Sequence, residues 1–383
     1  MAPTSSRDRV LQALAFRPTD YVPCCFSAFS ALRQKCASQR EFVERQLAMG
    51  LDVVVDFGEL PVAHHPSVRN RQWREEVPGS PYPVLHSQYT TPAGTLSRTV
   101  HTSADWEHGN EVPFLSDFNI ARSSKQLVSG ADSLEALAYL LAMPTEAEKK
   151  AYAERAAASR RLAAEKGLVV MAGVSQHGDF ACWLSGIQEL ALMAYDHPDF
   201  LSRYLALIER WNRERLAVVL SQKPDILVRR GWYENADFWS PDIYRRFLLP
   251  GLRRDAEQAH AAGARLGYIV SCSSMPLLDS FLEAGVDVLM GVDPAQDRMM
   301  DLRVLKQRTQ GRMALWGGVC GYLTMEKGSA EDIRRQVRNA LSVLGPGSGL
   351  LLAPVTNVRA DTPTTRRNVE AMVDEWKRVR TAG

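Results

Sequence analysis

From about residue 165 onward, short continuous apolar runs alternate with longer stretches in which apolar positions recur every three or four residues. The runs GLVVMAGV (167–174), PDILVRRGW (224–232), ARLGYIVSC (264–272), VDVLMGVDP (286–294), RMALWGGVC (312–320) and GLLLAPV (349–355) predict six strands. Because they are apolar throughout rather than alternating, both faces are expected to be buried, as in a parallel sheet. Each is followed by a helical pattern. Residues 185–222 predict two helices broken near Pro198. In the stretch after Phe238, Ser240 is placed to cap a helix, Pro241 to begin it and Gly263 to end it. Ile333, Val337, Ala340, Leu341 and Leu344 fall on one face of a later helix.

The N-terminal part supplies two more such units. YVPCCF (21–26) and LDVVVDFGEL (51–60) predict strands, and REFVERQLAMG (40–50) a helix between them. Two and six make eight, and strict strand–helix alternation predicts an α/β fold, a (β/α)8 TIM barrel, formed by residues 1–383 as a single domain. Residues 61–130 break the rhythm: YPVLHSQYTTPAGTLSRTVHTS reads as a β-hairpin about Pro92-Ala93-Gly94, an excursion over the barrel mouth.

Composition changes this picture little. The chain has 383 residues, 45% of them hydrophobic, and a formal net charge of +2 from 46 basic and 44 acidic side chains. That balance offers no field for nucleic acid or an anionic membrane. The six cysteines, at 24, 25, 36, 182, 272 and 320, contain no Cys-x-x-Cys pair and predict no disulfide framework. The amphipathic start has no apolar signal core, and no run approaches the roughly 20 apolar residues of a membrane span. A cytoplasmic protein acting on a small molecule is expected.

Chemistry in a parallel barrel gathers where strands end. Reading each strand to its end yields Asp56 and Glu59; Ser175, Gln176, His177 and Asp179; Arg229, Arg230, Trp232, Tyr233 and Glu234; Ser271 and Cys272; Asp293; Cys320 and Tyr322; Thr356, Asn357 and Arg359. Trp316 lies within its strand. Arg229 and Arg230 are consecutive, so they point to opposite faces; at least one is expected in a structural ion pair, and whether the other faces the cavity stays open. Asp293 either serves the site or starts a turn at Pro294. Trp232, Tyr233 and Trp239 either pack the rim or bind. A zinc site needs three or four ligands, and His177, Cys272 and Cys320 come from three strand ends; their alternative is that the thiols are small buried residues. GVSQHG (173–178) misses the nucleophile-elbow spacing, and GPGSG (345–349) stands between helix and strand, the wrong order for a dinucleotide fingerprint.

Several segments together resemble the uroporphyrinogen decarboxylase superfamily, which includes corrinoid-linked and coenzyme M methyltransferases and is related to cobalamin-independent methionine synthase. They are RDRVLQALAFRPTDYVPC, YTTPAGTLSRTV, FWSPDIYRRFLLPGLRRDAEQAHAAG, MPLLDSFLEAGVDVLMGVDP, MALWGGV and LLLAPVTNVRADTP. The resemblance spans nearly the whole chain and is most specific over 225–370. It implies a (β/α)8 barrel with its cleft at the C-terminal strand ends, often a homodimer. The thiol-alkylating methyltransferases of this group carry His-x-Cys-Gly where this chain has Val270, Ser271, Cys272 and Ser273, and a further Cys near 355–356 that is absent here. The arginine-rich loop with which porphyrinogen decarboxylases grip carboxylates is CCFSAFSALRQKC here, without matching arginines. Their acidic residue after the second strand corresponds to Glu59 in FGELP; their Tyr would fall near Cys182 or Trp183 and their His near Thr356, and neither is kept.

The reading that follows is a metal-independent decarboxylase or related lyase for a small carboxylated, aromatic substrate. Glu59, His177 and Tyr233 are its expected catalytic residues, with Glu59 tuned by burial and His177 shuttling a proton. Arg229, Arg230, Trp232, Cys272, Asp293, Trp316, Asn357 and Arg359 are its expected substrate contacts. No cofactor is expected. The alternatives are a methyltransferase working with a corrinoid protein, with or without zinc on His177, Cys272 and Cys320, and an inactive ligand-binding barrel.

Overall fold

The computed structural model describes residues 4–130, 132–355 and 357–381. Thr356 and the Ser175 side chain, both among the expected strand-end groups, lie outside the described residues. In chain order the strands are β1 (Val54–Asp56), β2 (Arg69–Glu75), β3 (Val84–Thr91), β4 (Gly94–His101), β5 (Ser123–Lys125), β6 (Val169–Gln176), β7 (Ile226–Arg230), β8 (Arg265–Ile269), β9 (Val288–Val292), β10 (Ala314–Cys320) and β11 (Leu350–Val355).

Seven of them form one parallel sheet in the order β1-β6-β7-β8-β9-β10-β11. All six strands expected after residue 165 are present, and helices separate them. Residues 21–26 contribute an isolated parallel bridge, Cys24 to Leu352, instead of a named strand. The Cys25 N–H donates to Leu352 O and the Leu352 N–H to Pro23 O, both at 2.9 Å, while Cys24 O accepts from Asp52 N at 2.9 Å. This segment therefore has hydrogen bonds toward both edges of the sheet.

Alternation along each strand divides the apolar residues into two clusters. Val54, Met171, Val228, Met290, Trp316 and Ala353 pack together inside the curl of the sheet, joined by Val10, Ala13 and Leu14 of the helix Ser6–Leu14. Val55, Val170, Leu227, Leu289, Leu315 and Leu352 pack on the other face with the surrounding helices. The helix Ala330–Leu344 buries Ile333, Val337, Ala340, Leu341 and Leu344, as its periodicity predicts.

The excursion is larger than a hairpin. The strands β3 and β4 turn at Pro92-Ala93-Gly94 as expected, but they belong to a four-stranded antiparallel sheet, β2-β3-β4-β5. The strand β2, RNRQWRE, is exposed along its whole length, which is why hydrophobic patterning does not reveal it. The helix expected from Pro241 to Gly263 is divided into Pro241–Phe247 and Leu249–Ala261, with Ser240 capping the first through Ile243 N. Among the described residues no helix is long and apolar enough to cross a membrane.

Candidate functional site

Strand alternation decides which polar groups reach the cavities at the C-terminal strand ends. Asp56 shares a face with inward-packed Val54, and Arg230 with inward-packed Val228. At the strand ends lies a central cavity of about 200 Å³, lined by Asp56, Met171, Trp232, Met290, Trp316 and Asn357 among others. Gly173 is on its wall and also on the wall of a larger cavity of about 520 Å³, which carries Glu59, Gln176, Trp183, Asn212, Arg215 and Arg230. Ser27, Ala28, Asp56 and Met171 are shared with a third cavity of about 540 Å³ beside the helix Gln39–Ala48. Gly173 adopts φ +71°, where β6 shifts register against β7. A Cβ there would meet Val219 Cγ1 at 2.9 Å, so only glycine fits this bend without displacement.

Asp56 is the carboxylate best placed for proton transfer. It borders the two cavities that meet at Ser27 and accepts a hydrogen bond from Gly58 N through Oδ1. The surrounding protein raises its pKa through desolvation, and Glu59 nearby adds to the rise. Gly58, at φ +77°, turns the chain, so that Glu59 leaves the strand and lines the larger cavity as an exposed residue. The burial expected at Glu59 is not found there, and Asp56 too is exposed, although the surrounding protein partly desolvates its carboxyl group.

Arg230 lies between two indoles, 4.3 Å from the Trp183 ring and 3.8 Å from the Trp232 ring. Its Nη2 donates to Asp117 Oδ1 at 3.0 Å, and its Nε lies 3.3 Å from Asp179 Oδ2. Trp183 Nε1 also donates to Asp117, at 2.6 Å. Asp179 is fully buried and accepts from Trp232 N at 3.1 Å and Tyr233 N at 2.7 Å. Its pKa is raised by burial and by Glu234, against the pull of those donors and Arg230. The cluster fixes the loop that presents Trp232 to the central cavity.

The structure separates several residues expected to act together. Arg229 points to the opposite face, where its guanidinium pairs with Glu234 at 2.8 Å and Asp255 at 2.9 Å. Burial works against the Glu234 carboxylate, but Arg229, with a hydrogen bond from Tyr268 OH, outweighs it and holds its pKa below the usual value. His177 joins this buried group rather than a cavity: Nε2 contacts Leu205 O at 3.1 Å and the ring packs against Gly251. Burial, with Arg229 beside it, lowers the imidazole pKa and removes the basis for a solvent-linked shuttle.

Tyr233 lines a small apolar groove with Cys182 and Trp239, and burial raises its phenol pKa. Asp293 starts the turn after β9, its Oδ1 accepting from Ala295 N and Gln296 N at 2.9 Å each. Arg359 is exposed, and its backbone N–H donates to Glu326 at 2.6 Å. Trp316 and Asn357 do line the central cavity, held by Cys25 O at 2.7 Å and by Ser30 Oγ at 2.9 Å respectively.

The family model for uroporphyrinogen decarboxylase (URO-D) matches residues 125–379. The chain belongs to the uroporphyrinogen decarboxylase family. No curated protein matches it. Among solved structures, a methyltransferase from Methanosarcina mazei aligns over 98% of both chains at 16% identity, with TM-score 0.59. A B12-independent methionine synthase from Shewanella sp. W3-18-1 aligns over 94% of this chain and 98% of its own at 10% identity, with TM-score 0.52. These likenesses establish a shared fold.

In this uroporphyrinogen decarboxylase family member, no group of three or more His, Cys, Asp or Glu among the described residues is arranged to hold a metal ion. Cys272 is half-buried with a thiol pKa pushed up to about 11 by burial and by Asp297 and Asp293. Cys320 is buried, its thiol also raised to about 11 by burial and Asp293, and its Sγ accepts from Leu323 N at 3.3 Å. His177 faces the helix Pro198–Leu220 instead of joining them. The residues do not fit zinc.

Among the cavity residues that escaped the sequence reading are Asp117, Asn212 and Arg215. Asp117 lies in the excursion, while Asn212 and Arg215 lie in WNRERL, which reads as the solvated charge run of a helix. Asp56 was legible: it is two residues beyond an inward valine.

Proposed function

We propose that this chain is a metal-independent lyase that decarboxylates a small aromatic acid, with Asp56 as proton donor. The observation that carries the reading is a carboxyl group of raised pKa on the wall of a small, largely apolar cavity whose lining includes Met171, Met290, Trp232 and Trp316 beside Ser27 and Asn357. Such a setting favours loss of charge: an apolar enclosure raises the energy of a carboxylate and lowers that of neutral CO2. The bond from the ring carbon to the carboxyl carbon breaks, its electron pair stays on the ring carbon, and CO2 leaves. Asp56 delivers its proton to that carbon and regains one from water. Trp232 and Trp316 supply flat surfaces for the ring, and Arg230 positions Trp232. We further infer that residues 23–25 act as the eighth strand of a closed (β/α)8 barrel.

The fold shared with the Methanosarcina mazei methyltransferase supports a second reading, methyl transfer, for which the family resemblance suggests a corrinoid protein as partner. One experiment separates them. The chain is incubated in D2O with a panel of hydroxybenzoates and related aryl acids, and CO2 release and deuterium at the vacated carbon are measured. Asp56→Asn is expected to slow release by about 10²–10⁴-fold, the usual worth of a general acid. Activity should fall as pH rises through the raised Asp56 pKa, because only the protonated form donates. Full turnover by Asp56→Asn, or thiol methylation from methylcobalamin with no CO2 from any acid, overturns the proposal. Ligand binding without either reaction supports an inactive barrel instead.

A further inference from the structure

The proposed reaction leaves open what holds the part of the substrate that does not react. The expected arginine anchors are engaged elsewhere: Arg229 is buried with Glu234 and Asp255, Arg230 is paired with Asp117 and Asp179, and Arg359 is exposed away from the cavities. Arg215, from the helix Pro198–Leu220, lines the 520 Å³ cavity. Its Nη1 donates to Pro61 O at 2.6 Å and its Nη2 to Leu60 O at 2.5 Å, and its guanidinium lies 4.4 Å from the centre of the Trp211 ring. Among the described residues no carboxylate is within ion-pair distance of it. Glu59, on the same cavity, acts on it only through a longer-range attraction.

A guanidinium has five N–H donors. Two neutral carbonyls leave donors unused and the charge uncompensated, which costs free energy in a concave, partly desolvated site. Burial lowers the Arg215 pKa to about 10, so it remains a cation at neutral pH. Arg98 is the instructive contrast. It too donates to carbonyls, those of Phe114 and Trp183, but it is fully enclosed and lines none of these cavities, which is the arrangement of a purely structural clamp. Arg215 instead borders a space within the usual size range for small-molecule sites. Leu60, Val62, Phe114 and Trp211 supply its apolar walls, and Gly173 marks its junction with the cavity of Asp56.

We infer that Arg215 anchors a second anionic group of the substrate, a carboxylate that survives the reaction, while the flat apolar body of the molecule reaches past Gly173 toward Asp56. The inference rests on the lyase reading for the reacting end and identifies the substrate class as an aryl acid bearing two acidic groups. The product, still carrying one, binds the same anchor.

The test needs no turnover. Benzoate serves as the product-like probe and benzamide as its uncharged counterpart. Phenylglyoxal modification of each arginine is followed by peptide mass spectrometry. Benzoate is expected to slow modification of Arg215 about tenfold, the worth of one charge-assisted pair, and to leave Arg359 unchanged; benzamide should protect neither. Quenching of tryptophan fluorescence by benzoate should require about tenfold more ligand in Arg215→Gln and an intermediate amount in Arg215→Lys. Equal modification of Arg215 with and without benzoate overturns the inference, whether or not the variants fold. Asp56→Asn should retain full protection. Protection without CO2 release from any acid keeps the anchor and removes the lyase reading; CO2 release without protection removes the anchor alone.

Discussion

His177 is a buried imidazole. Its Nδ1 has no hydrogen-bond partner among the described residues, its Nε2 meets a backbone carbonyl, and burial beside Arg229 lowers its pKa below 6.5. The unfolded chain protonates this ring as pH falls through 6.5, whereas the folded chain keeps it neutral. The unfolded state therefore binds more protons, and the contribution of His177 to stability is present above that pH and lost below it. Urea denaturation between pH 7 and pH 5 should show a flatter decline in His177→Gln than in the parent chain. Equal slopes would mean that the ring is protonated in the fold. A catalytic shuttle requires the opposite, a ring open to solvent and substrate, and sequence alone does not distinguish a strand-end histidine that faces the mouth from one that the next helix folds outward.

At the scale of one element, β7 gives adjacent arginines opposite fates. Arg229 faces the helices, where removal of its charge takes away the cation that buried Glu234 and Asp255 share. Arg229→Met should cost about 3–5 kcal/mol of stability, the usual penalty for breaking a buried pair from one side. Arg230→Met should cost less. Asp179 keeps two backbone donors, and Asp117 retains contact with solvent. Its larger effect is expected on ligand binding, through displacement of Trp232. Chemical denaturation of both variants checks the ranking, and a greater loss for Arg230→Met would contradict this division of the strand. The division itself was readable, since consecutive residues must face opposite ways. Which arginine faced inward was settled only by the packing of Val228.

At the scale of the molecule, the segment 23–25 ties the first and last parts of the sheet together. Its bonds to Leu352 and Asp52 should protect the Cys25, Asp52 and Leu352 amides from hydrogen exchange as strongly as amides in β7 and β10 are protected. Fast exchange at these three positions would describe an open sheet whose edges only approach. The antiparallel sheet lies at the other extreme. Its β2 strand presents Arg69, Arg71, Trp73 and Arg74 outward, with Trp73 stacked on His86 at 4.8 Å. It has almost no buried face to leave a hydrophobic signature.

The sequence by itself determined the parallel α/β framework, because strands buried on both faces must be apolar throughout and the helices between them must be amphipathic. It also determined family membership and the set of polar groups at the strand ends. Tertiary structure alone decided which of those groups share a cavity. Glu59 was separated from the strand by the turn at Gly58, His177 and Arg229 went to the helical side, and Arg215 and Asp117 arrived from a helix and an excursion far away in the chain. The physical reason is that periodicity encodes only local exposure. The pairing of buried charges depends on long-range packing, and no window of sequence contains both partners.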